Sequence, residues 1–281
     1  KPRGDRPDAQ RDAGYTGVYY EARHNRVAPL ATGQKGPNAI TRTAYYDGIA
    51  RQWHRATGHH GGALKLYVLN DLILDRIEAT GPIAGRAILE LGAGNGYLAP
   101  MLLRRYGGQA PARLVISDQS LALLDIAQTT FAVDGAEYLP LDVQDPFPFA
   151  DASFDLILAI MLFNELPTGS LQHAAAECAR VLTPGGRLLA VVVHPDSVHA
   201  LGRKAQLTDF GRGLAAMPSA GGLRLPVSRR RAEAYRDMLA GCGFAVRMED
   251  VAATDRVVNE KPGLKVPRGT PLALLLDCVK G

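Results

Sequence analysis

The sequence predicts an α/β fold in which a mainly parallel sheet carries helices on both faces. Three observations predict it. From residue 86 onward, short apolar runs of strand length alternate with stretches of helical periodicity. The breaks between them fall on Gly and Pro, as at Gly107-Gly108 and Thr183-Pro184-Gly185-Gly186. The 281 residues, 47% of them hydrophobic, hold enough apolar material for one sizeable core.

The elements follow in order. Residues 1–40 are rich in Gly, Pro, Arg and Asp without sustained periodicity. They read as an arm that docks on the body or joins two copies of the chain into a homo-oligomer. Tyr46, Ile49, Ala50 and Trp53 stand at helical spacing, and Gly58-His59-His60-Gly61-Gly62 breaks that helix. Leu66, Leu69, Leu72, Ile73 and Ile77 mark a second helix over 64–77, ended by Gly81-Pro82. A strand over 87–91 runs into Gly92-Ala93-Gly94-Asn95-Gly96. Helices over 97–106, 121–133 and 171–182 then alternate with strands over 114–118, 136–141, 154–161 and 187–193. Residues 194–227 carry Gly202, Gly211, Gly213, Pro218, Gly221, Gly222 and Pro226 and predict an insertion over the sheet edge with only short helical pieces. Ser228 is placed to cap a helix running to Ala240, and 244–248 and 271–279 are two late strands.

Composition narrows the function. No run of 18 apolar residues occurs, so no membrane-spanning helix is expected. No apolar leader core is visible at the N-terminus. Cys178, Cys242 and Cys278 are odd in number, far apart and lack CxxC spacing, which predicts buried free thiols and a cytoplasmic location. Residues 1–45 hold eight Lys and Arg against four Asp and Glu. The whole net charge of +4 therefore sits in the opening segment, and nucleic-acid binding by the folded body gains little from it.

In open α/β sheets, ligands bind beyond the carboxyl ends of the strands. Glu90-Leu91-Gly92-Ala93-Gly94-Asn95-Gly96 sits at such an end, and its glycines permit a tight turn and close approach of a ligand to the backbone. Dinucleotide sites space their glycines as G-x-G-x-x-G. Here the spacing is acid-x-G-x-G-x-G, which weakens a nicotinamide oxidoreductase reading. Asp118 ends the second strand about twenty residues later, where a carboxylate accepts both hydroxyls of a ribose. Asp142 follows the third strand and suits an adenine amino group, with the Val143 N–H facing a ring nitrogen.

On these residues, 87–193 resemble a class I S-adenosylmethionine-dependent methyltransferase. The run from Ile88 to Gly96 is similar to that family's first motif, Glu90, Gly92, Gly94 and Gly96 included. Asp118, with Gln119 beside it, matches the ribose-binding acid, and Asp142 with Val143 matches the adenine-binding pair. Phe154 to Ile160 matches the fourth strand, whose end at Ile160 meets the methionine part of the cofactor. Val181 to Leu189 is similar to the lead-in to strand five. The resemblance implies a Rossmann-like, seven-stranded, mostly parallel sheet with an antiparallel edge hairpin. It also implies S-adenosyl-L-methionine as cofactor and direct in-line methyl transfer; nothing visible in the sequence requires a metal. The chain then divides into the arm at 1–40, a helical lid at 41–82, and the methyltransferase domain at 83–281 with a cap insertion at about 194–227.

Within that family, the segment from Ala44 to Ala50 resembles the lid helix of small-molecule methyltransferases. By that match Tyr46 approaches the cofactor's carboxylate and Trp53 lines the pocket. Glu165 and His194, both expected at the carboxyl edge of the sheet, are candidates to deprotonate the acceptor. Phe163 and Arg203 are candidate acceptor contacts, Arg203 by gripping an anionic group. His54, His59 and His60 lack zinc-site spacing and read as a lid hinge. Leu162 to Pro167 does not carry the Asn-Pro-Pro-Tyr pattern of base or glutamine N-methylation, and no paired catalytic cysteines sit there. The expected activity is methyl transfer to an O, N or C atom of a small molecule, an anionic natural product or isoprenoid-type metabolite. The alternative acceptor is tRNA or a protein, for which only the basic arm speaks. A catalytically dead scaffold would need the glycine loop and acids to be idle.

Overall fold

The computed structural model describes residues 42–62, 64–203, 206–255 and 267–281; the arm lies outside the described residues. The segment expected to form the lid consists of α1 (Arg42–Thr57), a 3₁₀ turn (Gly58–His60), a π-helical turn (Lys65–Leu69) and α2 (Asn70–Glu78). Gly61, with φ 74°, closes the 3₁₀ turn in the left-handed region, where glycine carries no steric penalty.

A seven-stranded sheet follows. β1 (Ala87–Leu91), β2 (Arg113–Asp118), β3 (Glu137–Pro140), β4 (Phe154–Ile160) and β5 (Leu182–Val193) run parallel. The crossovers carry α3 (Leu98–Arg105), α4 (Leu121–Thr130) and α5 (Thr168–Val181). β9 (Phe244–Ala252) and β10 (Pro271–Lys280) form the antiparallel edge, giving the order β3-β2-β1-β4-β5-β10-β9. The edge register is pinned by Arg187, whose Nε and Nη2 each donate to an Asp277 carboxylate oxygen at 2.6 Å. The strand order reverses between β1 and β4, and a ligand crevice opens beyond the carboxyl ends at such a point.

Both faces of the parallel strands are buried, so their side chains alternate between two apolar cores. Ile88, Ile116 and Leu158 pack under α2 and α3. Leu89, Leu91 and Ile157 pack against α5 and α7 (Ala232–Gly241). Alternation places Glu90 on the Ile88 face, which is how an acid comes to be buried there.

Two expectations need correction. The insertion is not a set of helical pieces. After α6 (Pro195–Arg203), the strands β6 (Thr208–Gly211), β7 (Leu214–Pro218) and β8 (Arg224–Val227) form a separate antiparallel sheet in the order β6-β7-β8. Glycines that suggested breaks form its first hairpin turn: Gly211, Arg212 and Gly213 all take positive φ, at 89°, 54° and 75°. Ser228 does not cap the next helix. α7 starts at Ala232 without a side-chain cap, and the Ser228 hydroxyl instead pairs with Tyr235 Oη at 2.9 Å.

Lid and insertion join into one roof over the carboxyl ends of the strands. The Tyr45 hydroxyl donates to the Arg224 carbonyl, and Gln52 Nε2 donates to the Gly221 carbonyl at 2.9 Å. Tyr46, Ala50, Leu123, Leu223 and Leu225 share an apolar cluster between them. Asp47 Oδ1 accepts from Ser120 Oγ at 2.6 Å and from the Ala122 N–H at 3.2 Å, tying α1 to the start of α4.

Candidate active site

A cleft of about 180 Å³ lies between the ends of β1 and β4 and the roof. Its floor is the glycine loop. Gly92, Gly94 and Gly96 all have positive φ, at 63°, 61° and 77°. A Cβ on Gly96 would lie 2.6 Å from Ala127 Cβ, so the close packing of loop on α4 requires glycine. A Cβ on Gly94 would meet Trp53 Nε1 at 3.5 Å across the cleft.

Asp118 ends β2 in the cleft wall, 7% exposed. Its Oδ2 accepts the Gly94 N–H at 2.8 Å and its Oδ1 the Ser120 N–H at 2.9 Å. The two amides fix the orientation of the carboxylate along the loop. Gln119 also lines the cleft, and its Oε1 is buried with no hydrogen-bond partner among the described residues. Such an acceptor is costly unless a ligand donor reaches it. Asp142 and Val143 line the next stretch of wall, with Asp142 Oδ1 accepting the Gln144 N–H at 3.1 Å. A glycine cradle, an oriented carboxylate and an orphaned acceptor in one wall fit the adenosyl part of S-adenosylmethionine.

Ile160 and Met161 bring β4 to the cleft. Met161 is a non-glycine residue at φ 62°, a strained conformation of the kind held at functional sites. The following 3₁₀ turn, Phe163–Glu165, turns Asn164 and Glu165 into the cleft. Tyr46 crosses from the lid and donates its hydroxyl to Glu165 Oε2 at 2.5 Å. Trp53 stands beside it, the two rings edge-on with centroids 6.5 Å apart.

Other predicted residues lie elsewhere. Glu90 does not line the cleft; it is buried beneath the loop at 4% exposure. Burial pushes its carboxyl up to about 8, Asp118 adds to the rise, and the Lys65 ammonium opposes it. Phe163 is fully buried in the core, because the 3₁₀ turn sends it to the opposite side from Glu165. His194 is 5% exposed outside the cleft. Its Nδ1 accepts the Asp196 N–H at 3.2 Å and its Nε2 meets Asp250 Oδ1 at 3.1 Å, so the ring anchors the start of α6 to the sheet edge. Val193, one residue earlier, takes the cleft side. The side chain of Arg203 lies outside the described residues. No His, Cys, Asp and Glu cluster among the described residues can hold a metal.

His54 contacts the glycine loop. Asn95, from the glycine loop, places its Nδ2 3.1 Å from His54 Nδ1 and 3.0 Å from the Gly58 carbonyl. Partial burial and the neighbouring His59 lower the His54 pKa. The sequence reading missed Lys65, Asn95, Met217, Ser219, Leu225 and Pro226, all of which line the cleft. Asn95 stood inside the motif. The others carry no motif signal, because lid and cap meet the site only through folding.

A family model described as a methyltransferase domain matches residues 88–186. The chain is 35% identical over 133 residues to malonyl-[acyl-carrier protein] O-methyltransferase 1 of Coxiella burnetii, covering 47% of this chain and 42% of that protein. It is 32% identical over 179 residues to the demethylmenaquinone methyltransferase of Thermus thermophilus, covering 59% of this chain and 77% of that protein. The chain spans less than half the length of some curated relatives it matches, at 42% and 46%. Two solved structures share the fold. One is magnesium protoporphyrin IX methyltransferase from Synechocystis PCC 6803 with bound SAH, at a TM-score of 0.58 and 16% identity, covering 85% of this chain and 98% of that one. The other is an S-adenosylmethionine-dependent methyltransferase from Mesorhizobium loti, at 0.55 and 18%, covering 73% and 96%. With a domain match that begins inside β1 and a relative matched over 77% of its length, the chain belongs to the class I S-adenosylmethionine-dependent methyltransferases.

Proposed function

We propose that this chain methylates an O, N or C atom of a small acidic molecule. The observation that carries the reading is the pairing of Glu165 with Tyr46 inside a roofed cleft that begins at the glycine loop. S-adenosylmethionine, when bound, supplies a methyl group already activated by the positive sulfonium. The protein then needs to align, to exclude water and to manage one proton. Asp118 takes the ribose hydroxyls, and Asp142 with the Val143 amide takes the adenine. Gly92 and Gly94 let the ligand approach the backbone, and Ile160 bounds the methionine side. Glu165 accepts the acceptor's proton, with Tyr46 orienting the carboxylate. Trp53, Met217, Leu225 and Pro226 roof the acceptor's space.

Relatives named for malonyl-[acyl-carrier protein], demethylmenaquinone and ubiquinone biosynthesis support a small acceptor. The test is transfer of labelled methyl from S-adenosylmethionine to a panel of malonyl thioester, demethylated quinone, bulk tRNA and peptide. Label in a small molecule, with Glu165→Gln slowing transfer but leaving S-adenosylhomocysteine affinity intact, is expected. Label confined to tRNA or peptide would overturn the acceptor class.

A further inference from the structure

The proposed mechanism leaves a cation in the cleft unused. Lys65 opens the π-helical turn Lys65–Leu69, and such turns recur at functional sites. Among the described lining residues it is the single Lys or Arg, against Asp118, Asp142 and Glu165. Its position is built. A Cβ on Gly61 would lie 2.5 Å from Lys65 Cδ and 2.6 Å from Tyr97 Cζ, so the lysine stem and the Tyr97 ring fill the space that glycine leaves. The ammonium stands 5.1 Å from the Tyr97 ring centroid, within cation–π range. Tyr97 is itself fixed, donating to Asn70 Oδ1 at 3.2 Å while Asn70 Nδ2 donates to the His60 carbonyl at 3.1 Å. A lysine free to choose turns its head to water. This one is turned inward, where burial lowers its pKa and Glu90, Glu165 and Asp118 oppose the fall.

The charge pattern of the cleft sets the ligand chemistry. Acids line it, and they favour the sulfonium and ammonium of S-adenosylmethionine. They repel its carboxylate and any carboxylate on the acceptor. Tyr46, matched to the carboxylate by family resemblance, gives its hydroxyl to Glu165 instead. We propose that Lys65 is the carboxylate receptor of this cleft, pairing with the amino-acid carboxylate of the cofactor or with that of an acidic acceptor. The proposal rests on the cleft being the cofactor site.

Calorimetry on the full chain tests it. The probes are S-adenosylhomocysteine, its decarboxylated analogue 5′-deoxy-5′-(3-aminopropylthio)adenosine, and malonate added to the S-adenosylhomocysteine complex. Thermal unfolding verifies that K65M and K65R are folded. If the cofactor supplies the carboxylate, K65M weakens S-adenosylhomocysteine at least about tenfold, the scale of a charge-assisted hydrogen bond. It then leaves the decarboxylated analogue unchanged, and K65R restores most of the loss. If the acceptor supplies it, K65M spares both nucleosides and abolishes malonate binding. Equal weakening of both nucleosides assigns Lys65 to lid packing alone and overturns the proposal, as does no change with any probe. Wild-type protein that binds neither nucleoside overturns the cofactor reading itself, and this one with it.

Discussion

Glu90→Gln removes a buried ionisable group while keeping its shape, and its consequence for stability can be worked out. In the folded chain burial raises the Glu90 carboxyl from its ordinary value of 4.5 to about 8. Between those two values the folded protein keeps a proton that the unfolded chain has released. Unfolding therefore releases a proton, and stability falls as pH rises through that window. Each pH unit inside the window is worth about 1.4 kcal/mol, so Glu90 costs about 3–5 kcal/mol by pH 8 relative to pH 4.5. Glutamine has no proton to lose. The stability of E90Q relative to wild type should therefore climb by up to about 1.4 kcal/mol per pH unit between about pH 5 and 8, then level off. Urea unfolding of both ligand-free proteins at intervals from about pH 5 to 9 measures the gap, and the difference removes titrations that the two share. A gap that stays flat with pH would refute the reasoning. It would mean that Glu90 is ionised throughout and that the Lys65 ammonium outweighs burial.

Three further outcomes are expected. Asp118→Asn should weaken S-adenosylhomocysteine roughly 100-fold by calorimetry, the sum of two charged hydrogen bonds; unchanged affinity would remove Asp118 from the ribose. Gly96→Ala should lose about 2–4 kcal/mol in urea unfolding, from left-handed strain plus collision with Ala127. Gly107→Ala, at φ 63° with nothing within 4 Å, isolates the strain alone and should lose about 1 kcal/mol; equal losses would show that packing on α4 is not what Gly96 serves. His194→Ala should cost about 1–2 kcal/mol of stability through the lost cap and Asp250 pairing, with S-adenosylhomocysteine affinity unchanged. A collapse of that affinity would place His194 functionally at the cleft after all.

The fold and the glycine-loop wall of the cleft were legible because their signals are short-range. The run from Ile88 to Gly96 contains strand, turn and cradle within nine consecutive residues; Asp118 ends its own strand and Asp142 follows the end of the next. The acceptor half was less so. Phe163, Asn164 and Glu165 are adjacent, and only the handedness of one 3₁₀ turn separates the buried residue from the two in the cleft. His194 was placed at the right sheet edge, yet one step beyond Val193 was enough to turn it away. The insertion was misread because four-residue strands such as β6 and β8 are too short for period two to stand out from turn residues.

The sequence by itself determined the strand rhythm, the backbone freedom of the glycine loop and the acids at the strand ends. Each of these depends on neighbours along the chain. Tertiary structure alone decided which lid and cap residues face the cleft, and which carboxyl is buried with its pKa raised. Tyr46 meets Glu165 across 119 residues and Tyr45 meets Arg224 across 179. Lys65 comes within electrostatic range of Glu90 only when the N-terminal helices fold over β1. Contacts of that range are set by the packing of whole elements, and local periodicity carries no information about their partners.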